Sequence, residues 1–216
     1  MVTRFRGRQR EAARNDRAIL DAARLVFLRD RNATMHDVAA AAEVGVGGLY
    51  RRYASKDELL RTVCADGLRR YIAIGEAALS DTEDPWHAFA TFLERLIDAG
   101  VHQLTTRLAG SLTMTNGLHE LSEQADAMAD RVFRRARGSG MLRTDVSMHD
   151  VTMLLEQLSA IQVGDEARTH QLRHRYLHLL LDGLSAASAS GRLPGPPPRG
   201  RELRASWRVP GDEASA

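Results

Sequence analysis

The sequence predicts an all-α chain: a three-helix N-terminal head built around a helix-turn-helix, followed by a longer helical body. Three observations carry this. Five of the six prolines, Pro194, Pro196, Pro197, Pro198 and Pro210, lie in the last two dozen residues, and Pro85 follows Asp84 as a first-position proline behind an N-cap, so the body holds no helix breaker. Apolar residues recur at spacings of three and four, and β-branched clusters are few. Residues 34–58 read as two short helices around a tight turn, followed by a cap that opens a third.

The elements follow in order. Residues 1–14 form a basic arm with Arg4, Arg6, Arg8, Arg10 and Arg14, continued by Arg17; a solvated, disordered start and a phosphate-neutralising segment are equally compatible with it. The first helix carries Ile19, Ala22, Ala23 and Phe27, with alanines where helices must approach closely. Thr34 caps the second, which turns Val38, Ala39 and Ala42 inward. Glu43-Val44-Gly45 makes the turn, and Gly45 is expected to supply the positive φ. Val46, Leu49, Tyr50 and Tyr53 then form one buried stripe on a third short helix. Ser55 and Glu58 form a capping box that opens a long helix over about Lys56 to Ala78. Further helices are expected over about Pro85–Gln103, Leu118–Arg137, Met148–Val163 and Ala167–Ala187, with a less regular stretch near 105–117; Ser147 and Asp150 form a cap pair at the start of Met148–Val163. From Gly191 onward the composition is that of a mobile linker, and Trp207 within it is read as part of an exposed extension.

Composition narrows the function classes. A chain of 216 residues with 44% apolar content can bury a core, and no run of eighteen apolar residues occurs, so it is neither disordered overall nor membrane-spanning. The N-terminus has charge but no apolar run of the kind secretion needs, so the expected location is cytoplasmic. Cys64 has no second cysteine to pair with and reads as a small apolar filler. The net charge of +2 hides an asymmetry: residues 1–60 hold twelve basic and eight acidic side chains, whereas 61–190 hold thirteen and seventeen. The basic excess thus sits at the helix-turn-helix end, as a phosphate-binding surface requires, and in the tail, where residues 191–216 hold five basic and three acidic side chains. Lys56 is the only lysine, so the arginine content is not by itself a nucleic-acid signal.

Ala41-Ala42, Glu43 to Tyr53, and Ser55-Lys56-Asp57-Glu58 together resemble the N-terminal domain of the TetR family of transcriptional regulators, as does the upstream Ile19-Leu20-Asp21-Ala22-Ala23-Arg24-Leu25-Val26-Phe27. Gly140 to Val151 resembles the G-x-L-R-x-D-V connection that many such proteins carry before the penultimate helix. Three residues depart from the pattern: Glu43 replaces a turn glycine, Gly48 a threonine and Arg52 a histidine. The resemblance implies a DNA-binding domain over 15–60, a helical effector-binding and dimerisation domain over 61–190, and a Pro/Gly-rich tail over 191–216. It places Val46–Tyr53 in the major groove, with Gly45, Gly47, Gly48 and Arg51 facing bases and Tyr50 and Arg52 near the DNA backbone. Arg51 is suited to reading a base, because its guanidinium fork donates twice to guanine; Thr34 and Lys56, at helix starts, are placed for phosphates. The implied function is a repressor that binds a near-palindromic operator as a homodimer and is released by a small-molecule effector.

Two stripes are candidates for the dimer contact: Val151, Leu154, Leu158 and Ile161, and Leu172, Tyr176, Leu179 and Gly183; the competing reading turns them into their own core. Trp86, Phe89, Phe92, Leu93, His102, Met114, His119 and Met128 are the candidate effector pocket, though an aromatic and methionine stripe at helical spacing is more often plain core. A DNA-binding regulator without a small ligand is the nearest alternative. His170, His174 and His178 share one helix face, but the chain lacks H-E-x-x-H, and Arg173 and Arg175 flank them, so no metal ligand, catalytic residue or cofactor is assigned. Gly45-Val46-Gly47-Gly48 is no dinucleotide fingerprint, because Tyr50 stands in the third glycine's place and no strand precedes it.

Overall fold

The computed structural model describes residues 2–81, 84–101 and 115–206, with side chains from Arg14 to Leu203 within those ranges. The described residues fall into two compact units that meet in sequence after Asp66. They are helical, with α1 Val2–Arg29, α2 Met35–Ala41, α3 Val46–Arg52, α4 Lys56–Ser80, α5 Pro85–Ala99, α6 Asn116–Gly138, α7 Met148–Ala160, α8 Glu166–Leu184, a 3-10 turn Ala186–Ser188, and α9 Gly200–Ser206. None of these helices is long and apolar enough to cross a membrane.

The first unit is the head. Ile19, Ala23 and Phe27, each four residues apart on α1, are buried with Met35 and Val38 of α2, Leu49 of α3, and Leu59 and Val63 of α4. Truncating such a leucine to alanine costs about 2–5 kcal/mol. Cys64 is buried among them, and burial pushes its thiol pKa up to about 12, so it is an inert filler. The basic arm is continuous with the first helix: α1 begins at Val2 and runs through residues 2–14 into the head.

In the second unit the helix starts are chemically marked. Asp84 Oδ1 accepts from Trp86 N at 2.9 Å and His87 N at 3.1 Å, Thr115 caps α6, and Ser147 and Asp150 complete a capping box on α7. Several ends fall earlier than the apolar pattern suggests. Gly100 takes the left-handed conformation (φ 58°) and stops α5 short of Gln103. Extended backbone at Ile161 and Ser185 likewise ends α7 before Val163 and α8 before Ala187. Phe89, Phe92, Leu93 and Leu96 of α5, Val132 and Phe133 of α6, Val151 and Leu155 of α7, and Leu177 and Leu181 of α8 form one core. Gly75 of α4 lets Met128 of α6 lie against the helix backbone, where a Cβ would overlap Met128 Cγ.

Part of the 191–216 tail is tied to the second unit. Arg143 forms a two-pronged ion pair with Asp145 (Nε–Oδ1 2.7 Å, Nη2–Oδ2 3.0 Å) and donates to Gly191 O at 2.8 Å, while Asp145 Oδ2 accepts from Leu193 N at 2.7 Å. Leu203 on α9 is buried, so the tail is held at Gly191, Leu193 and Leu203 while residues 191–197 stay exposed. The reason is polar satisfaction: the G-x-L-R-x-D-V segment offers a guanidinium and a carboxylate that the tail backbone completes. Trp207 lies outside the described residues.

Candidate nucleic-acid interface

The head presents α2, a turn and α3. Thr34 is the N-cap of α2, and both its N–H and its hydroxyl donate to Asp37 Oδ2 at 2.7 Å, a reciprocal box that also holds the Asp37 carboxyl below its usual range. Thr34 therefore acts as a cap here, with its hydroxyl committed to Asp37.

The turn differs from expectation at one residue. Glu43 carries the positive φ (55°), whereas Gly45 has φ −68° and is the N-cap of α3. The left-handed position is the one where the family pattern has a glycine, and here a glutamate adopts it at a cost of about 1–2 kcal/mol. Leu49 and Tyr53 of the expected stripe are buried and Val46 is half-buried, but Tyr50 is 46% exposed. At roughly 100° per residue, position 50 is a quarter-turn off the Leu49 direction, which puts its ring on the outer face.

That outer face is open. Gly45, Gly47, Tyr50, Arg51 and Arg52 are exposed and Gly48 is half-buried. A Cβ built on Gly45 or Gly47 meets nothing within 4 Å, and one on Gly48 meets only Arg51 Nη2 at 3.9 Å, so packing does not require these glycines. Among the described residues Arg51 has no carboxylate partner. Arg52 pairs with Asp16 of α1 at 2.6 Å. Lys56 Nζ donates to Arg31 O at 2.8 Å and sits 5.4 Å from the Phe27 ring centroid, so it also holds the end of α1. Ser55 Oγ accepts from Glu58 N at 3.1 Å, while the Glu58 carboxylate reaches back to Ala54 N at 2.8 Å. Arg52 thus ties α3 to α1, and Lys56 ties the start of α4 to the end of α1.

In the second unit Phe89, Phe92 and Leu93 are fully buried and Met128 is buried against Gly75. Trp86 is half-buried beside Phe89, and His119 is exposed and paired with Glu123 at 3.4 Å. His102 and Met114 lie outside the described residues. A cavity of about 110 Å³ is lined by Ile74, Ala77, Asp81, Ala88, Thr91, Phe92 and Arg95. It is smaller than the roughly 300–1,000 Å³ of ordinary ligand pockets.

The two stripes part company. Val151 and Leu158 of α7 are buried in their own core, and Leu154 and Ile161 are packed against it, because one helical face cannot serve both core and partner. On α8 the core takes Leu177, Leu181 and Leu184, leaving Tyr176 (45% exposed), Leu179 (57%) and Gly183 outside, with Leu172 half-buried. A feature that sequence reading missed is Asp98 of α5, whose carboxylate meets both His170 and His174 of α8; its partners are more than seventy residues away, so no local pattern marks it.

Two family descriptions match the chain: "Bacterial regulatory proteins, tetR family" over residues 19–63, and "Transcriptional regulator SbtR-like, C-terminal domain" over residues 84–186. Among solved structures, the TetR-like regulator LfrR from Mycobacterium smegmatis, in complex with proflavine, aligns with a TM-score of 0.63 at 24% identity, covering 84% of this chain and 99% of that one. A TetR regulatory protein from Mycobacterium vanbaalenii aligns at 0.58 and 23%, covering 82% and 99%. The regulator PfmR from Thermus thermophilus aligns at 0.58 and 22%, covering 77% and 98%. At such identities the likeness is one of fold. No curated protein matches the chain.

Proposed function

Because the chain belongs to the TetR family of bacterial regulatory proteins, we propose that it is a cytoplasmic, non-enzymatic repressor that binds a near-palindromic operator as a homodimer and leaves it when a small-molecule effector binds. The exposed outer face of α3 carries this reading: it offers one uncommitted guanidinium, Arg51, between an exposed tyrosine and two glycines that the core does not need. Arg51 reads a guanine through two donated hydrogen bonds, while Gly47 and Gly48 allow the α3 backbone to approach the duplex. Tyr50, Arg52 and Lys56 border that face and fix register on phosphates; Gly45 starts the helix, and Thr34 supports it as a cap. One such helix reads only a few base pairs, so two copies related by a dyad read two half-sites. An effector that favours a different spacing of the two heads shifts the population away from the operator-bound form.

Selection of duplexes from random and genomic DNA by the full chain, followed by fluorescence anisotropy, tests this. Arg51→Ala is expected to lose about 1–3 kcal/mol of discrimination between the selected and a scrambled duplex. Equal binding of the wild type to both duplexes contradicts sequence-specific regulation. A DNA-binding regulator without a small ligand is the second reading. Thermal shifts against metabolite pools separate the two, since an effector raises the melting temperature by mass action.

A further inference from the structure

On the flank of the second unit, α5 and α8 face each other with carboxylates on one helix and histidines on the other. Asp98 Oδ1 lies 2.9 Å from His170 Nε2 and 2.6 Å from His174 Nε2, and the three atoms all lie within 4.8 Å of one another. The two imidazoles stack with centroids 4.4 Å apart and planes inclined by 35°, which aims both Nε2 atoms at the same oxygen. One turn along, His178 Nε2 stands 3.6 Å from Glu94 Oε1. His174 is the most sheltered of the ladder, its side chain 25% exposed against 56% for His170.

We propose that Asp98, His170 and His174 bind one divalent transition-metal ion of the zinc(II) type, leaving at least one coordination position to water or an incoming ligand. Two histidines four apart on a helix present their rings side by side, and a carboxylate from a second helix supplies the third donor. Two imidazole nitrogens and one carboxylate oxygen suit zinc, nickel, cobalt or copper and disfavour magnesium and calcium, which take oxygen donors. The dimensions agree. Donors held about 2.0–2.1 Å from a tetrahedral ion stand roughly 3.3 Å apart, so the two histidine–carboxylate separations of 2.9 and 2.6 Å need to open by about 0.4 and 0.7 Å. Partly exposed side chains reach that by small rotations. Arg173, a neighbour in sequence that would repel a cation, is turned to the end of α7, donating to Ile161 O at 2.9 Å and Ser159 O at 3.1 Å. The bound ion joins α5 to α8 on a flank roughly 130° or more around α8 from the Tyr176–Leu179 face, so the site is complete within one chain.

Full-length protein stripped with chelator and titrated with zinc chloride by calorimetry provides the test, with cobalt(II) as a visible-absorption probe. One ion per chain is expected, with Asp98→Asn and His174→Ala each weakening binding about tenfold or more and His149→Ala leaving it unchanged. Side-chain nitrogen NMR of the wild type, which needs no variant to fold, is expected to show two histidines shifting on zinc addition. Binding by Asp98→Asn equal to wild type overturns the proposal in favour of bare two-histidine chelation. A wild type that binds zinc no better than the His170→Ala/His174→Ala pair, or magnesium as tightly as zinc, also overturns it.

Discussion

Glu43 and Gly45 show how finely the head is tuned at the level of single residues. The left-handed position of the turn is held by a glutamate with φ 55°, while the glycine two residues on has an ordinary φ and starts α3. Spacing alone led to the glycine, because glycine is the usual occupant of such a conformation; only the backbone shows which residue makes the bend. Leu49 and Val38 were legible because their i, i+3 and i+4 neighbours define a buried face, whereas Tyr50 was not, since an aromatic ring suits a core or a DNA-facing surface equally. Gly47 and Gly48 provide a separation of fold from function. With space for a Cβ at both, Gly47→Ala and Gly48→Ala are expected to raise stability in chemical denaturation by up to about 1 kcal/mol each. The same substitutions are expected to weaken operator binding severalfold in anisotropy titrations. Unchanged affinity would mean that DNA does not approach this stretch of backbone.

Local chemistry made the elements readable where the partners are three or four residues apart. The box at Ser147–Asp150 and the Asp84–Pro85 start are of this kind and are present, with Thr34–Asp37 as a further example, while at Ser55–Glu58 the serine half forms and the Glu58 carboxylate takes Ala54 N in place of the cap's own N–H. The docked tail and the Asp98–histidine contact were not readable, because their partners are separated by 48 and more than 70 residues. The tail clip has a pH signature. Hydrogen bonds from Arg143 first, and from Leu193 N second, hold the Asp145 carboxyl well below the usual range. A depressed native pKa contributes stability that is whole above the unfolded value of about 3.9 and is lost as pH falls through the native value. The stability difference between wild type and Asp145→Asn is therefore expected to be full at neutral pH and to shrink below about pH 4. At neutral pH, trypsin is expected to cut after Arg192 and Arg199 faster in the variant. A difference that grows on acidification would refute the clip.

At the scale of the whole molecule, the fold class and family were readable because the helix-turn-helix is a contiguous segment, while the proposed assembly surface was only half readable. Two apolar stripes competed for it, and three-dimensional packing assigned Val151 and Leu158 to the core and left Tyr176, Leu179 and Gly183 exposed. Exposed apolar residues in register on one helix are what a self-complementary contact uses. Leu179→Arg is expected to convert the protein from dimer to monomer in analytical ultracentrifugation, with helical content unchanged and operator affinity reduced at least tenfold. A variant that remains dimeric would move the interface elsewhere.

The central claim is that two copies of α3 enter the major groove at two half-sites, and methylation protection of guanine N7 on the selected operator tests it most directly, because N7 lies on the major-groove edge. The expected result is two symmetric protected clusters centred about one helical turn, or a multiple of it, apart, fading in Arg51→Ala. A retarded complex that leaves every guanine N7 reactive would contradict it.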